Sequence, residues 1–334
     1  MQVEWLLLGT IALAIVFDFL NGMNDSGNIV ATMISTGALT PRRALALASV
    51  AEFLGPFIFG VAVAATIGSG IVDPATVGPL PVLAALLAAI AWDLITLRQG
   101  IPSSSSHALV GGLLGAVLVA QGLGSVRISG LLVVMVALIV SPLLGFALGH
   151  LAMRAIIFLS RGASPRVNTY FRHGQIATSL ALALSHGTND AQKTMGIITL
   201  ALVALGALPE FKVPLWVVAV SAAAIAAGMA TGGWRIIRTL GGKVYRIRPV
   251  HGFSAQATSA AVILGAALLG GPVSTTQVVG SSIIGVGSAE RMSKVRWGVA
   301  GNIIMAWIVT IPTAAAMSGA FYLALKTLAA LGVI

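Results

Sequence analysis

Apolar runs follow one another along the whole chain, among them residues 11–20, 131–140 and 219–227, and they never give way to a soluble-like stretch. That feature leaves few folds open. In lipid every backbone N–H and C=O must be paired internally, so a bundle of spanning helices suits such a sequence and an open sheet does not. Composition agrees, with 57% of the 334 residues hydrophobic, 8% charged and a mean hydropathy of +1.00. A soluble domain carries about 25% charged residues to cover its surface. The start, Met1-Gln2-Val3-Glu4, lacks the basic segment of a cleaved leader. The expectation is an all-α, polytopic membrane protein.

A net charge of +10 would suit a nucleic-acid binder, but the charges are placed otherwise. Basic residues gather in short clusters between apolar runs, at Arg42-Arg43, Arg235–Arg248 and Arg291–Arg296. This is the positive-inside pattern of membrane loops, and no nucleic-acid partner is expected. The chain has no cysteine, so nothing in it depends on disulfides or thiolate metal sites.

The chain also repeats itself. Asn24-Asp25 recurs 165 residues later as Asn189-Asp190, each pair with a glycine two residues before its Asn (Gly22, Gly187). Gly37-Ala38-Leu39 returns as Gly206-Ala207-Leu208, and Pro142 returns as Pro312. The Pro-led hydroxyl cluster Pro102-Ser103-Ser104-Ser105-Ser106-His107 returns as Pro272-Val273-Ser274-Thr275-Thr276-Gln277. Order and spacing are kept, which gives a first repeat at 1–153, a linker at 154–172 and a second repeat at 173–334. Hydropathy outlines about ten spans, at 5–36, 44–66, 80–97, 101–121 and 129–153, then at 174–209, 213–234, 251–270, 272–289 and 298–320.

Five crossings is an odd number, so the second repeat must start on the opposite side from the first. With the linker inside, fifteen Lys or Arg fall in cytoplasmic loops and three, Arg127, Lys212 and Lys326, fall outside. Loop 67–79 has no Lys or Arg, while its counterpart 235–248 has five. Equivalent loops therefore lie on opposite faces, as in the inverted repeats from which many secondary transporters are built. The Ser-rich segments also fit re-entrant hairpins with a neighbouring span split in two.

Polar residues inside apolar runs carry the chemistry. Asp18, Asp25, Glu52, Asp93 and Asp190 lie within or at the ends of expected spans. A carboxylate at membrane depth is costly and normally faces a cavity with a task. Residues 21–28 supply three Asn, two Gly, one Asp and one Ser, a poor helix interior, so a break is expected there and at 185–193. Such breaks offer oxygen ligands from Asn, Asp and freed carbonyls, which suit Na⁺ or a proton-sharing carboxylate. The N–H groups of the following half-helix suit an anion. Lys193 adds a cation that faces either the acidic cluster or the anion. The hydroxyl clusters follow a proline that pre-sets a helical first turn. Hydroxyls and free N–H groups there can hold a tetrahedral oxyanion without a permanent charge.

At this point a family resemblance becomes specific. Gly22-Met23-Asn24-Asp25-Ser26-Gly27-Asn28, followed by Ser35-Thr36-Gly37-Ala38-Leu39-Thr40, resembles the first signature of the PiT family of inorganic phosphate transporters. His186-Gly187-Thr188-Asn189-Asp190-Ala191-Gln192-Lys193-Thr194-Met195-Gly196-Ile197 resembles the second, and Pro272-Val273-Ser274-Thr275-Thr276-Gln277 a third element. The resemblance spans both repeats. It implies cation-coupled import of phosphate across the cell membrane, with Na⁺ or H⁺ as the co-transported ion and no cofactor. By motif position it implies a cation site of Asp25, Asn28, Asp190, Glu52, Asn24 and Asn189, with Na⁺ at Asp25 and Asp190. It also implies phosphate contacts from Ser104, Ser105, Ser106, Ser274, Thr275, Thr276, Asn24, Asn189, Gln192 and Lys193. Glu52 matches a glutamate of sodium-coupled members, and its counterpart in the second repeat is Ser221. The expected partners are phosphate, the ion, the lipid bilayer and a second copy in a homodimer.

Rival functions fare less well. A membrane hydrolase would need a lone nucleophile motif, and the repeat replaces His107 with Gln277. An anion channel would need a continuous polar pore, whereas opposed repeats favour alternating access. Sulfate transport shares every structural argument and differs only in that phosphate can donate a hydrogen bond near neutral pH.

Overall fold

Proline opens the helices and glycine closes them. Pro41, Pro79 and Pro249 stand in first turns, where a missing N–H costs nothing. The computed structural model describes residues 2–73 and 77–332. Among them the chain forms α1 (Gln2–Ser35), α2 (Pro41–Phe59), α3 (Ala62–Ala65), α4 (Pro79–Gln99), α5 (Ser105–Gln121) and α6 (Ile128–Leu159). The same succession then returns as α7 (Val167–Ala204), α8 (Leu215–Thr231), α9 (Trp234–Arg238), α10 (Pro249–Leu268), α11 (Thr275–Glu290) and α12 (Trp297–Ala330). The short helices α3 and α9 run on as π-turns, Thr66–Gly70 and Thr239–Lys243.

Among the described residues four helices, α1, α4, α6 and α12, are long and apolar enough to cross a membrane unaided. Two more spans arise if the bent pairs α2–α3 and α8–α9 each count as one. These pairs turn by 76° and 58°, at Gly60 (φ +85°) and Gly232 (φ +75°). Only glycine enters that region of backbone space cheaply, which is why both repeats put one at the bend. Helices α4 and α5 form a hairpin through residues 100–104, and α10 and α11 form its counterpart through 269–274. These elements fit the alternative of hairpins beside a split span.

The expected breaks at 21–28 and 185–193 are not there. Helices α1 and α7 run unbroken through both motifs. Asn, Asp and Ser disfavour a helix interior by competing for its backbone. Here most of those side chains are engaged elsewhere. Asn28 donates to Thr276 on α11, Asn21 to Asp190 on α7, and Ser26 accepts from the N–H of Gly233, the residue before α9. Tertiary pairing offsets the local competition, while Ser26, Ser185 and Thr188 still bond carbonyls of their own helix without breaking it. The linker is also shorter than 154–172, because α6 continues to Leu159 and α7 begins at Val167.

The two repeats interlock. Helix α1 packs on α8 and α7 on α2, while α6 packs on α11 and α12 on α5. Small residues permit the close approach, as in membrane bundles generally. A Cβ on Gly22 would lie 2.0 Å from the Ile225 carbonyl oxygen, and one on Gly187 would lie 2.1 Å from that of Glu52.

Two apolar cores result. Ala14 and Phe17 of α1 share one core with Met195–Leu202 of α7, while Ile29–Met33 of α1 share the other with Leu182 and Ala183. The early part of α1 thus meets the late part of α7, and the reverse holds at the other end. The two central helices run in opposite senses, and their polar segments lie between the cores.

Candidate functional site

Asn21, Asp25 and Asn28 are spaced i, i+4, i+7 and so share one face of α1. His186, Asp190 and Lys193 take the same spacing on α7. All six are buried. The hairpin tips come to meet them. Ser104 caps α5 by accepting from the His107 N–H at 3.2 Å, and Ser274 caps α11 by accepting from the Gln277 N–H at 3.3 Å. Both helix N-termini, with their partial positive charge, thereby begin next to the carboxylates.

Asp25 takes part in four hydrogen bonds. Its Oδ1 accepts from Asn28 Nδ2 at 2.5 Å and from Thr276 Oγ1 at 2.7 Å. Its Oδ2 lies 3.3 Å from Thr275 Oγ1 and 3.1 Å from His186 Nε2. Asp190 Oδ1 accepts from Lys193 Nζ at 2.7 Å, and Lys193 also donates to Ser106 Oγ at 2.5 Å. Asp190 Oδ2 accepts from Asn21 Nδ2 at 3.2 Å and stands 3.3 Å from Thr275 Oγ1. Thr275 therefore sits between the two repeat-related aspartates.

His186 joins a third carboxylate to the pair. Its Nδ1 bonds Glu52 Oε1 at 2.5 Å, while Nε2 faces Asp25 and, at 3.6 Å, Asp190. An imidazole between carboxylates can donate from both nitrogens only as the imidazolium. The packing at Gly187 is what brings α2, and hence Glu52, against this histidine. The ligand atoms of Asp25, His186 and Asp190 lie within 4.8 Å of one another, a spacing that can hold a metal ion.

The expected residues divide into groups. Asp25, Asn28, Asp190, Glu52, Lys193, Ser106, Thr275 and Thr276 come together in the centre. Asn24 and Asn189 flank it, with Asn24 Nδ2 3.5 Å from the Asp93 carbonyl and Asn189 Nδ2 donating to that of Gly271 at 3.1 Å. Ser104 Oγ pairs with His107 Nδ1 at 2.6 Å, Ser274 is spent as a cap, and Ser105 is buried in the first turn of α5. Asp18 and Asp93 are fully buried beside the cluster.

Gln192 stands apart. Its Oε1 accepts from the N–H groups of Val63 and Ala64, and its Nε2 donates to the Gly60 and Thr188 carbonyls. The whole amide is consumed in bridging the bend between α2 and α3. Gln192→Leu should therefore act on stability. Leaving buried backbone groups unpaired costs about 1–3 kcal/mol each, so a drop of several degrees in melting temperature of the detergent-solubilised protein is expected. An unchanged melting temperature together with a lost phosphate response would return Gln192 to the binding site.

Asn21 and His186 were not among the expected ligands. Extending the 165-residue shift along the motif faces would have found them, since it pairs Asn21 with His186, Asp25 with Asp190, and Asn28 with Lys193.

Comparison with known proteins gives a consistent result. The model of the Phosphate transporter family matches residues 21–164 and 159–318. A protein of Rhizobium meliloti (strain 1021) is 47% identical over 321 residues, covering 96% of each chain. One of Bacillus subtilis (strain 168) is 44% identical over 317 residues, covering 94% of this chain and 95% of the relative. Both carry the name "Probable low-affinity inorganic phosphate transporter". A solved structure named "The sodium-dependent phosphate transporter" superposes with a TM-score of 0.87 at 27% identity, over 98% of this chain and 100% of that one.

Proposed function

Since the chain belongs to the phosphate transporter family, a multi-pass membrane carrier and not an enzyme, we propose that it imports inorganic phosphate together with Na⁺ at the centre built by α1, α7 and the two hairpin tips. One observation carries the reading. Asp25, Glu52 and Asp190 are buried and joined through His186, and the one ammonium among them, Lys193, is paired with Asp190. A phosphate anion cannot enter so acidic a centre alone, because buried charge must be compensated. Co-transported cations supply the compensation.

The same geometry links the two cargoes. Thr275, Thr276 and Asn28 direct their donors at aspartate oxygens. A cation that takes over those oxygens releases the hydroxyls and the adjoining helix N-termini for an oxyanion. Binding is thus ordered, with the cation first and phosphate second. All these groups are buried, so the tips must part for entry. Among the contacts that hold them are Ser106 to the Val273 carbonyl, 3.0 Å, Gln277 Nε2 to His107 Nε2, 3.4 Å, and Trp307 to the Pro102 carbonyl, 3.0 Å.

Four amide oxygens favour Na⁺ over H⁺. The Oδ1 atoms of Asn21, Asn24, Asn28 and Asn189 are buried without a hydrogen-bond donor. A proton on a carboxylate gives one O–H donor and can satisfy one such acceptor, whereas Na⁺ takes several oxygens at once. The solved relative is named as sodium-dependent, which points the same way. The test is uptake of labelled phosphate into proteoliposomes at fixed pH, with sulfate as competitor. Replacing Na⁺ by choline should lower the rate at least about tenfold, a loss of ~1.4 kcal/mol in ion-linked binding. A rate indifferent to that replacement but abolished when the pH gradient is dissipated would establish proton coupling instead.

A further inference from the structure

The two halves of the centre are built on one plan. In the first, Asp25, Asn28 and Thr276 form a triangle, with Asn28 Nδ2 2.5 Å from Asp25 Oδ1 and 3.0 Å from Thr276 Oγ1. In the second, Lys193 stands between Asp190 and Ser106 as Asn28 does between Asp25 and Thr276, with Nζ 2.7 Å from Asp190 Oδ1 and 2.5 Å from Ser106 Oγ, while the Ser106 hydroxyl donates to the Val273 carbonyl. The residues correspond by the same shifts that relate the repeats, Asn28 to Lys193 by 165 and Ser106 to Thr276 by 170.

One atom type breaks the symmetry. Asn28 brings a neutral amide whose oxygen has no donor. Lys193 brings an ammonium, fully buried and held at contact distance by Asp190. An ammonium cannot serve as a cation ligand, because it has three donors and no acceptor. It also repels a second cation at the same carboxylate, strongly so away from water.

We infer that the Lys193 ammonium is a built-in substitute for one co-transported cation, so the carrier takes one Na⁺ fewer per phosphate than its two half-sites would otherwise hold. The inference rests on the reading that the aspartates hold the transported ions. Asp190 is then neutralised permanently from within the chain, and coupling runs through the Asp25 half.

The experiment restores the symmetry with K193N. Binding of ²²Na⁺ to the purified, detergent-solubilised full chain is measured together with the ²²Na⁺ to ³²P-phosphate flux ratio in proteoliposomes. K193N should bind one more Na⁺ per chain than the wild type and carry one more per phosphate, with a steeper dependence of uptake on Na⁺. K193R keeps the charge and should match the wild type in Na⁺ count. If K193N does not purify as a monodisperse species, K193Q, which also carries an amide oxygen, gives the same comparison.

The outcomes separate the two claims. An added Na⁺ in K193N over a wild type that binds none supports the substitution while refuting sodium coupling of the native carrier. Equal Na⁺ binding in K193N, K193Q and wild type overturns the substitution, and sodium coupling stands if the wild type itself requires Na⁺.

Discussion

Asp25→Asn should reduce concentrative phosphate uptake by at least about 100-fold while leaving the protein folded. Asp25 accepts from Asn28, Thr275, Thr276 and His186, and no lysine depends on it. An amide in its place keeps the shape and some of the hydrogen bonding but cannot neutralise a cation. Losing about 3 kcal/mol of ion binding corresponds to two decades in occupancy. Asp190→Asn should also lower uptake, because the Lys193 ammonium it frees then repels the cation at the neighbouring Asp25, and it should cost more in stability. Lys193 would then be a buried ammonium without its counter-ion, a change worth about 3–5 kcal/mol. The measurements are uptake normalised to protein in the membrane and thermal melting in detergent. Asp25→Asn transporting at the wild-type rate under the same gradient would remove that residue from the mechanism. Equal melting of the two variants would mean that the Lys193–Asp190 pair contributes nothing to the fold.

Gly187→Val, like a change at its repeat-related neighbour Gly22, should be among the most destabilising single changes at the motif residues. A Cβ there would meet the Glu52 carbonyl oxygen at 2.1 Å and its carbon at 2.8 Å, and these are backbone atoms that cannot rotate away. Relief requires α2 to leave α7. That separation would also pull Glu52 from His186. Overpacking a tight core costs about 1–3 kcal/mol, and here whole helices must move, so a loss above about 4 kcal/mol or a failure to accumulate in the membrane is expected. Gly301→Ala is the control. It lies within α12, where nothing stands within 4 Å of the added methyl group, and alanine is the better helix former. Normal accumulation and melting of Gly187→Val would show that α2 and α7 do not need this contact.

Much of the architecture was legible in the chain because it rests on one-dimensional signals. The apolar runs forced helices, the shifts of 165 to 170 residues exposed two repeats, and the basic loops indicated their opposed orientation. The duplicated Asp25 and Asp190 and the Pro-led Ser and Thr clusters marked the residues that meet in the centre. Each of these signals is a property of composition or spacing, which survives without knowledge of contacts.

Local reasoning failed where a side chain is satisfied by a distant one. Residues 21–28 and 185–193 look like helix breakers by propensity, yet α1 and α7 pass through them, because Asn21 and Asn28 find partners on α7 and α11 and Ser26 one in Gly233, just before α9. Gln192 sits in a binding motif by sequence and spends its amide on the α2–α3 bend in three dimensions. His186 became the bridge among Glu52, Asp25 and Asp190 only through the approach of α2 at Gly187. The sequence by itself determined which residues could carry charge within the apolar bundle and that they come in two related sets. Tertiary structure alone decided their pairing, because a hydrogen bond between residues roughly 160 or 250 positions apart leaves no periodicity in either segment, and the cost of burying a polar group is set by the partner it meets.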